Sequence, residues 1–274
     1  MQCRENYAAG SRLACVTDVT VLALAGGATA LATGLGAVPV FLLGQRAESL
    51  RPLLWGLAVG LMSVASVVGL ILPALDEGTA VEVAAGLAAG VFFLLVSRRF
   101  LSHRNPHVGK LQGAGVRRSL LVFGVLLVHS LPEGFAIGTA FASDTEGLAL
   151  FVFLAIALQN IPEGTSVAIP MDAAGFGRAQ QFWAAVLTSA PQPVGAVAAF
   201  LAVEQITGLL PLSFTFAAGA MLALVVVEML PQAFAPGGRW KAFIGSAGGA
   251  AVMGSSRCCS GCSPRTAVTL PRDQ

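Results

Sequence analysis

Apolar residues run along this chain in blocks of about twenty, separated by short polar breaks. Twenty residues is roughly what a helix needs to cross about 30 Å of hydrocarbon. Read in windows of that size, the blocks predict helices at approximately 20–43, 53–75, 80–96, 119–142, 147–170, 182–203, 209–231 and 240–255. Glu82 fits the third because it falls in the first turn. The eighth block is short, about 16 residues or roughly 24 Å of helix, and crosses only with local thinning of the bilayer. A polar tail, 257–274, follows it. The reading is an all-α polytopic protein: a transmembrane domain over 1–256, interrupted by a loop at 97–118.

Composition agrees with that pattern. Hydrophobic residues make up 55% of the 274 and charged residues 11%, where a soluble domain carries about 25% charged. A net charge of +2 gives no reason to expect nucleic acid as a partner; the lipid bilayer is the expected surrounding, as a multi-pass protein of the cell (inner) membrane. No cleavable signal peptide is expected, since a polar stretch with Glu5 and Asp18 precedes the first block.

Charge also gives orientation. Arg46, Arg51, Arg98, Arg99, Arg104, Lys110, Arg117, Arg118, Arg178, Arg239 and Lys241 all fall on one set of alternate loops. The opposite short loops hold Asp76, Glu77, Asp144, Glu146 and Glu204 instead. The positive-inside rule places the first set in the cytoplasm and both termini outside it.

Within the fourth and fifth blocks one six-residue pattern occurs twice, His-Ser-Leu-Pro-Glu-Gly at 129–134 and Gln-Asn-Ile-Pro-Glu-Gly at 159–164. A carboxylate deep in hydrocarbon is costly unless paired, protonated or bound to a cation, and marks function by default. His129 and Glu133 are four residues apart and share a helical face, as do Gln159 and Glu163. The two helices are joined by a short turn, so they run antiparallel and both faces meet near the bilayer midplane. Pro132 and Pro162 lack the N–H that would bond the carbonyls of Val128 and Leu158, and such freed carbonyls at membrane depth need another partner. Gly134 and Gly164 admit a neighbouring helix closely. Two carboxylates and a neutral imidazole offset a divalent cation almost completely. One nitrogen, two carboxylates and an amide or water oxygen suit Zn²⁺, and also Fe²⁺ or Mn²⁺. Ligation requires deprotonated groups, so binding is expected to weaken as pH falls.

The segments ATGLGAVPVFLL (32–43), GLAVGLMSVASVVGLILPAL (56–75), HSLPEGFAIGTA (129–140), ALQNIPEGTSVAIPM (157–171) and AAGAMLALVVVEMLP (217–231) carry a family resemblance. The chain resembles the ZIP (Zrt/Irt-like) family of divalent-metal transporters, particularly its bacterial members. That resemblance implies eight helices with both termini outside, and a binuclear centre in helices four and five. His129, Glu133, Gln159 and Glu163 match its primary metal position. Ser130, Asn160 and Gln192 match the secondary one, with Glu133 and Glu163 bridging. Ser130 stands where Asn is usual and Gln192 where many bacterial members have Glu, so the secondary position is expected to be weak or absent. Glu228 is an exit-side ligand or a structural partner. His103 and His107 in the 97–118 loop either pass metal on or are simply solvated.

The implied function is secondary transport of a divalent ion toward the cytoplasm by alternating access. Zn²⁺ leads, with Fe²⁺, Mn²⁺ or Cd²⁺ as alternatives, and the metal is cargo rather than a catalytic cofactor. No nucleotide-binding pattern is present, and a homodimer stays open. An enzyme is not expected: a metallo-hydrolase would need HExxH or an equivalent, and adjacent His129 and Ser130 do not face each other on a helix. A proton-coupled solute carrier using the paired Glu, or a non-transporting metal-binding protein, are the competing readings. Cys3 and Cys15 precede the first helix, and Cys258, Cys259 and Cys262 read as an incidental tail cluster rather than a metal site.

Overall fold

The computed structural model describes residues 12–103 and 114–260, which are helical apart from short turns and contain no strand. Helix α1 (Arg12–Leu35) continues as a short segment Val38–Leu43. Helix α2 comprises Arg51–Val64, a π-helical stretch Ala65–Ile71 and Leu72–Glu77. Then come α3 (Ala80–His103), α4 (Ala114–Ala142) and α5 (Leu148–Ala173). Helix α6 is broken into Arg178–Thr188 and Pro191–Gln205. Helix α7 comprises Leu210–Leu224, a π-helical stretch Val225–Met229 and Leu230–Ala233, and α8 is Arg239–Ser260. Seven of these helices, all but α8, are long and apolar enough to cross a membrane. Helical spans satisfy every backbone group internally, which lipid demands.

The interruptions have a common cause. The π-helical stretches of α2 and α7 lie just before Pro73 and Pro231, which fall at the first turn of the resumed helix. Proline lacks a donor and its ring presses on the preceding turn, so the helix widens to relieve it. In α6 the break at Ser189–Ala190 precedes Pro191 and Pro193, and the Gln192 N–H bonds Ser189 O rather than reaching a full α-helical turn back. Gly147, with φ +75°, supplies the left-handed turn that starts α5 after α4.

Glycine seams join the helices in pairs. Gly56 and Gly60 on α2 face the backbone carbonyls of Ala242 and Ser246 on α8, while Gly245 and Gly249 face those of Leu53 and Leu57. Gly90 on α3 meets Phe216 O on α7, and Gly219 meets Leu87 O in return. Gly134 and Gly138 on α4 press on Gln192 and Ala196 of α6, and Gly164 on α5 meets Thr33 O of α1. Small residues let backbones approach without solvent-driven association, the usual device inside lipid. Two sets emerge: α1, α4, α5 and α6 hold nearly all the buried polar side chains. The helices α2, α3, α7 and α8 contribute only Ser66 and Thr215 to that list.

Several helix ends run beyond the blocks read from the sequence: α1 begins at Arg12 rather than near 20, and α4 at Ala114 rather than near 119. Helix α3 runs to His103 rather than ending near 96. The eighth helix does not stop near 255: it continues to Ser260 and is 22 residues long, about 33 Å at 1.5 Å per residue. Over Ala242–Ala250 it packs against α2 through the glycine seam, and tertiary packing supplies most of a helix's stability. The basic loops gather at one end of the bundle, where Lys241 Nζ donates to Ser49 O at 2.9 Å and Arg51 reaches Gln232 at 3.1 Å. Cys3, His107, Lys110 and Cys262 lie outside the described residues, as do the side chains of Cys15, His103, Cys258 and Cys259.

Candidate metal centre

The two copies of the repeated pattern meet inside the bundle. Ligand atoms of His129 and Glu133 on α4 and Glu163 on α5 all lie within 4.8 Å of one another. All three side chains are buried, at 0%, 0% and 3% exposure. Helical spacing does the local work, since each Glu sits one turn from its His or Gln partner on the same face. The short Ser143–Gly147 turn then sets the two faces against each other.

Gln159 joins this cluster, donating Nε2–H to Glu133 Oε1 at 2.5 Å. Its own Oε1 has no hydrogen-bond partner, and neither do Glu163 Oε1 nor either ring nitrogen of His129. His129 Nε2 is 3.4 Å from Glu133 Oε1, without the geometry of a hydrogen bond. Four polar atoms of this cluster are thus buried and unpartnered, of the eight such side-chain atoms among the described residues. Buried polar atoms without partners are uncommon and each needs an explanation. Here they lie on residues of one cluster in which a ring nitrogen of His129 and oxygens of Glu133 and Glu163 come within 4.8 Å of one another, a mixed nitrogen and oxygen set of the kind a divalent cation of the Zn²⁺ type selects.

The remaining expected residues divide. Gln192, delivered by the break in α6, donates Nε2–H to Glu133 Oε2 at 2.5 Å. Asn160 donates Nδ2–H to Thr29 O at 2.8 Å and lies 3.2 Å from Gln192 Oε1. Ser130 turns away: its hydroxyl is 2.9 Å from Leu126 O and 2.8 Å from Thr188 O. The break in α6 leaves the Thr188 carbonyl without its usual amide and so available to Ser130. Glu228 is not part of this cluster: it lies 3.2 Å from Arg98 and accepts from Gln232 at 2.9 Å.

Sequence reasoning missed Thr29. Its hydroxyl lies 2.8 Å from both Gly26 O and Gln192 Oε1, and its side chain is fully buried. Thr33, one turn on, lies 2.6 Å from Ser189 Oγ at the α6 break. Two threonines spaced four apart in an otherwise apolar helix were the available signal.

Residues 102–257 match the family model of the ZIP zinc transporters. The chain belongs to the ZIP family. Its relatives include the zinc transporter GufA of Myxococcus xanthus, 33% identical over 212 residues, which covers 73% of this chain and 84% of that protein. The zinc transporter ZIPB of Bordetella bronchiseptica is 35% identical over 250 residues, 84% of this chain and 78% of that protein. An Arabidopsis thaliana protein named provisionally as a zinc transporter is 35% identical over 219 residues. The chain spans about a third of that plant protein, 35% of its length. As a ZIP family member the chain is a multi-pass membrane protein, and the family is one of transporters, not enzymes.

Proposed function

We propose that this ZIP family member carries Zn²⁺, or a divalent ion of similar ligand preference, across the membrane toward the cytoplasm. His129, Glu133, Gln159 and Glu163 hold the ion in transit. One observation carries the reading: three ionisable side chains with atoms within 4.8 Å of one another, buried at the middle of two spans, with Glu163 Oε1 and both ring nitrogens of His129 left unpartnered. A purely structural cluster at that depth would be expected to satisfy its own polar atoms.

Direction is supported by what lies below the site. A cavity of about 530 Å³ sits at the Arg-rich end, lined among others by Glu48, Arg51, Trp55, Asp172 and Ser166. Ser166 is three residues beyond Glu163, less than one helical turn, so the cavity reaches nearly to the ligands. By the positive-inside rule that end is cytoplasmic, and the cavity is the route of release. The carboxylates Glu48 and Asp172 line it and favour a cation leaving that way. Alternating access then means that α4 and α5 move with the ion as a unit while the flanking helices frame them. The absence of any nucleotide-binding pattern in the sequence leaves the ion gradient or membrane potential as the energy source.

Radiolabelled Zn²⁺ uptake into proteoliposomes tests this, comparing the intact protein with Glu133→Ala and Glu163→Ala. Saturable uptake that both substitutions abolish is the expected outcome. Equal flux in all three would remove the paired carboxylates from the pathway. Metal-independent flux of an organic solute that needs both Glu would favour a proton-coupled carrier instead.

A further inference from the structure

We propose that a second cavity at the Arg-rich end, between α2, α3, α4 and α7, binds one zwitterionic phospholipid that carries a primary ammonium. Its phosphodiester sits on Arg98 and its ammonium on Glu48. The inference is independent of the metal reading, since neither residue belongs to the buried cluster.

The cavity measures about 720 Å³, within the range of about 300–1,000 Å³ usual for ligand sites. Arg51, Arg98, Glu48 and Glu228 line it, together with apolar Pro52, Val125, Val227 and Pro231. Its depth is that of lipid headgroups. Arg98 lies about 27 Å along α3 from Ala80, and Glu228 lies as far along α7 from Leu210. The hydrocarbon core is about 30 Å thick, so both reach its far boundary. Trp240, 72% exposed and stacked on Phe243, adjoins Lys241, which donates to Ser49 O next to Glu48. Tryptophan is enriched at that boundary. The cavity thus offers charged groups at headgroup level and an apolar wall for the glycerol and first methylenes.

The charges select the headgroup. Both oxygens of Glu228 are engaged, Oε1 by Gln232 and Oε2 by Arg98. Arg98 meets Glu228 through Nε, yet a guanidinium carries five N–H donors and this side chain is 45% exposed. Spare donors on a planar fork suit a phosphate oxygen pair. Glu48 meets Arg51 through Oε1, and its side chain is 55% exposed. A carboxylate has about four lone-pair sites, so Glu48 can accept from an ammonium as well. Two Arg and two Glu leave the lining without net charge, which matches a zwitterion and leaves a net-anionic headgroup unbalanced. A trimethylated ammonium has no N–H to give Glu48. Glu48, Arg51 and Gln232 line the release cavity too, so a headgroup held here bears on a wall shared with the route of the ion.

The test titrates the purified full-length protein in detergent with phosphatidylethanolamine, phosphatidylcholine or phosphatidylglycerol, counting bound lipid by native mass spectrometry. One phosphatidylethanolamine per chain is expected, held about fivefold tighter than either other lipid, the scale of one charged contact at a headgroup. Arg98→Gln should weaken phosphatidylethanolamine and phosphatidylcholine alike by about fivefold. Glu48→Gln should weaken phosphatidylethanolamine alone, to the level of phosphatidylcholine. Unchanged binding in a folded Arg98→Gln overturns the inference, as does a preference for phosphatidylglycerol or equal binding of the two zwitterions. Should Arg98→Gln fail to fold, Glu48→Gln decides: a preference for phosphatidylethanolamine that survives it overturns the site. Displacement of the lipid by soluble glycerophosphoethanolamine at equal concentration overturns it as well, assigning the cavity to a soluble phosphodiester.

Discussion

Two polar clusters of this bundle invite comparison. The midplane cluster of His129, Glu133, Gln159 and Glu163 is buried and leaves four acceptor-capable atoms unpartnered. The cluster at the Arg-rich end, with Glu228, Arg98, Gln232, Arg51 and Glu48, is partly exposed, and its hydrogen bonds and ion pairs close on one another. Both contain glutamates within about one helical turn of a proline. What separates them is satisfaction: the outer cluster has spent its acceptors on Arg and Gln side chains, and the inner one leaves Gln159 Oε1, Glu163 Oε1 and the His129 ring nitrogens unpartnered. A buried acidic residue in a membrane helix is thus read by its partners and not by its depth alone.

The largest effect is expected at the inner cluster. His129→Ala removes the only nitrogen ligand, and Zn²⁺ uptake should fall by about 100-fold or more, beyond the usual loss for an outer-shell residue. A change under about threefold in reconstituted vesicles would dissolve the distinction between the two clusters. Next comes the seam that carries the eighth helix. Gly249→Leu drives a side chain into the carbonyl of Leu57, an overpacking cost of at least about 1–3 kcal/mol. Size-exclusion chromatography should show a loss of monodisperse protein; an unaltered elution and melting temperature would mean that α8 does not depend on that seam.

Acidity should act on the inner cluster alone. Protons compete with the ion for the same carboxylates and imidazole, so apparent Zn²⁺ affinity falls as pH falls. A loss of at least about tenfold is expected between about pH 7.5 and about pH 5.5, read from uptake or isothermal titration. Affinity unchanged across that range would show that proton-binding groups do not ligate the ion. The smallest effect is expected outside. Glu228→Gln loses a partly exposed pair worth about 0–1 kcal/mol, and uptake should stay within about twofold. A loss as deep as that of His129→Ala would place Glu228 on the path of the ion.

The sequence by itself determined that this is a helical membrane protein, and it set His129, Glu133, Gln159 and Glu163 on facing sides of two neighbouring helices. Those conclusions needed only hydrophobic length and the i, i+4 spacing of His129, Glu133, Gln159 and Glu163, because a membrane span and a helical face are local properties. Tertiary structure alone decided the rest. The full length of α8 was hidden because its last residues, 256–260, read as a polar, Cys-containing run with no hydropathy signal. Thr29 was hidden because its role depends on a glutamine 163 positions away. Ser130 and Gln192 looked like ligands by position, yet one bonds backbone carbonyls and the other donates to Glu133. Whether a polar group is free or already partnered is a fact about its neighbours, and neighbours across a bundle are not written in any one helix.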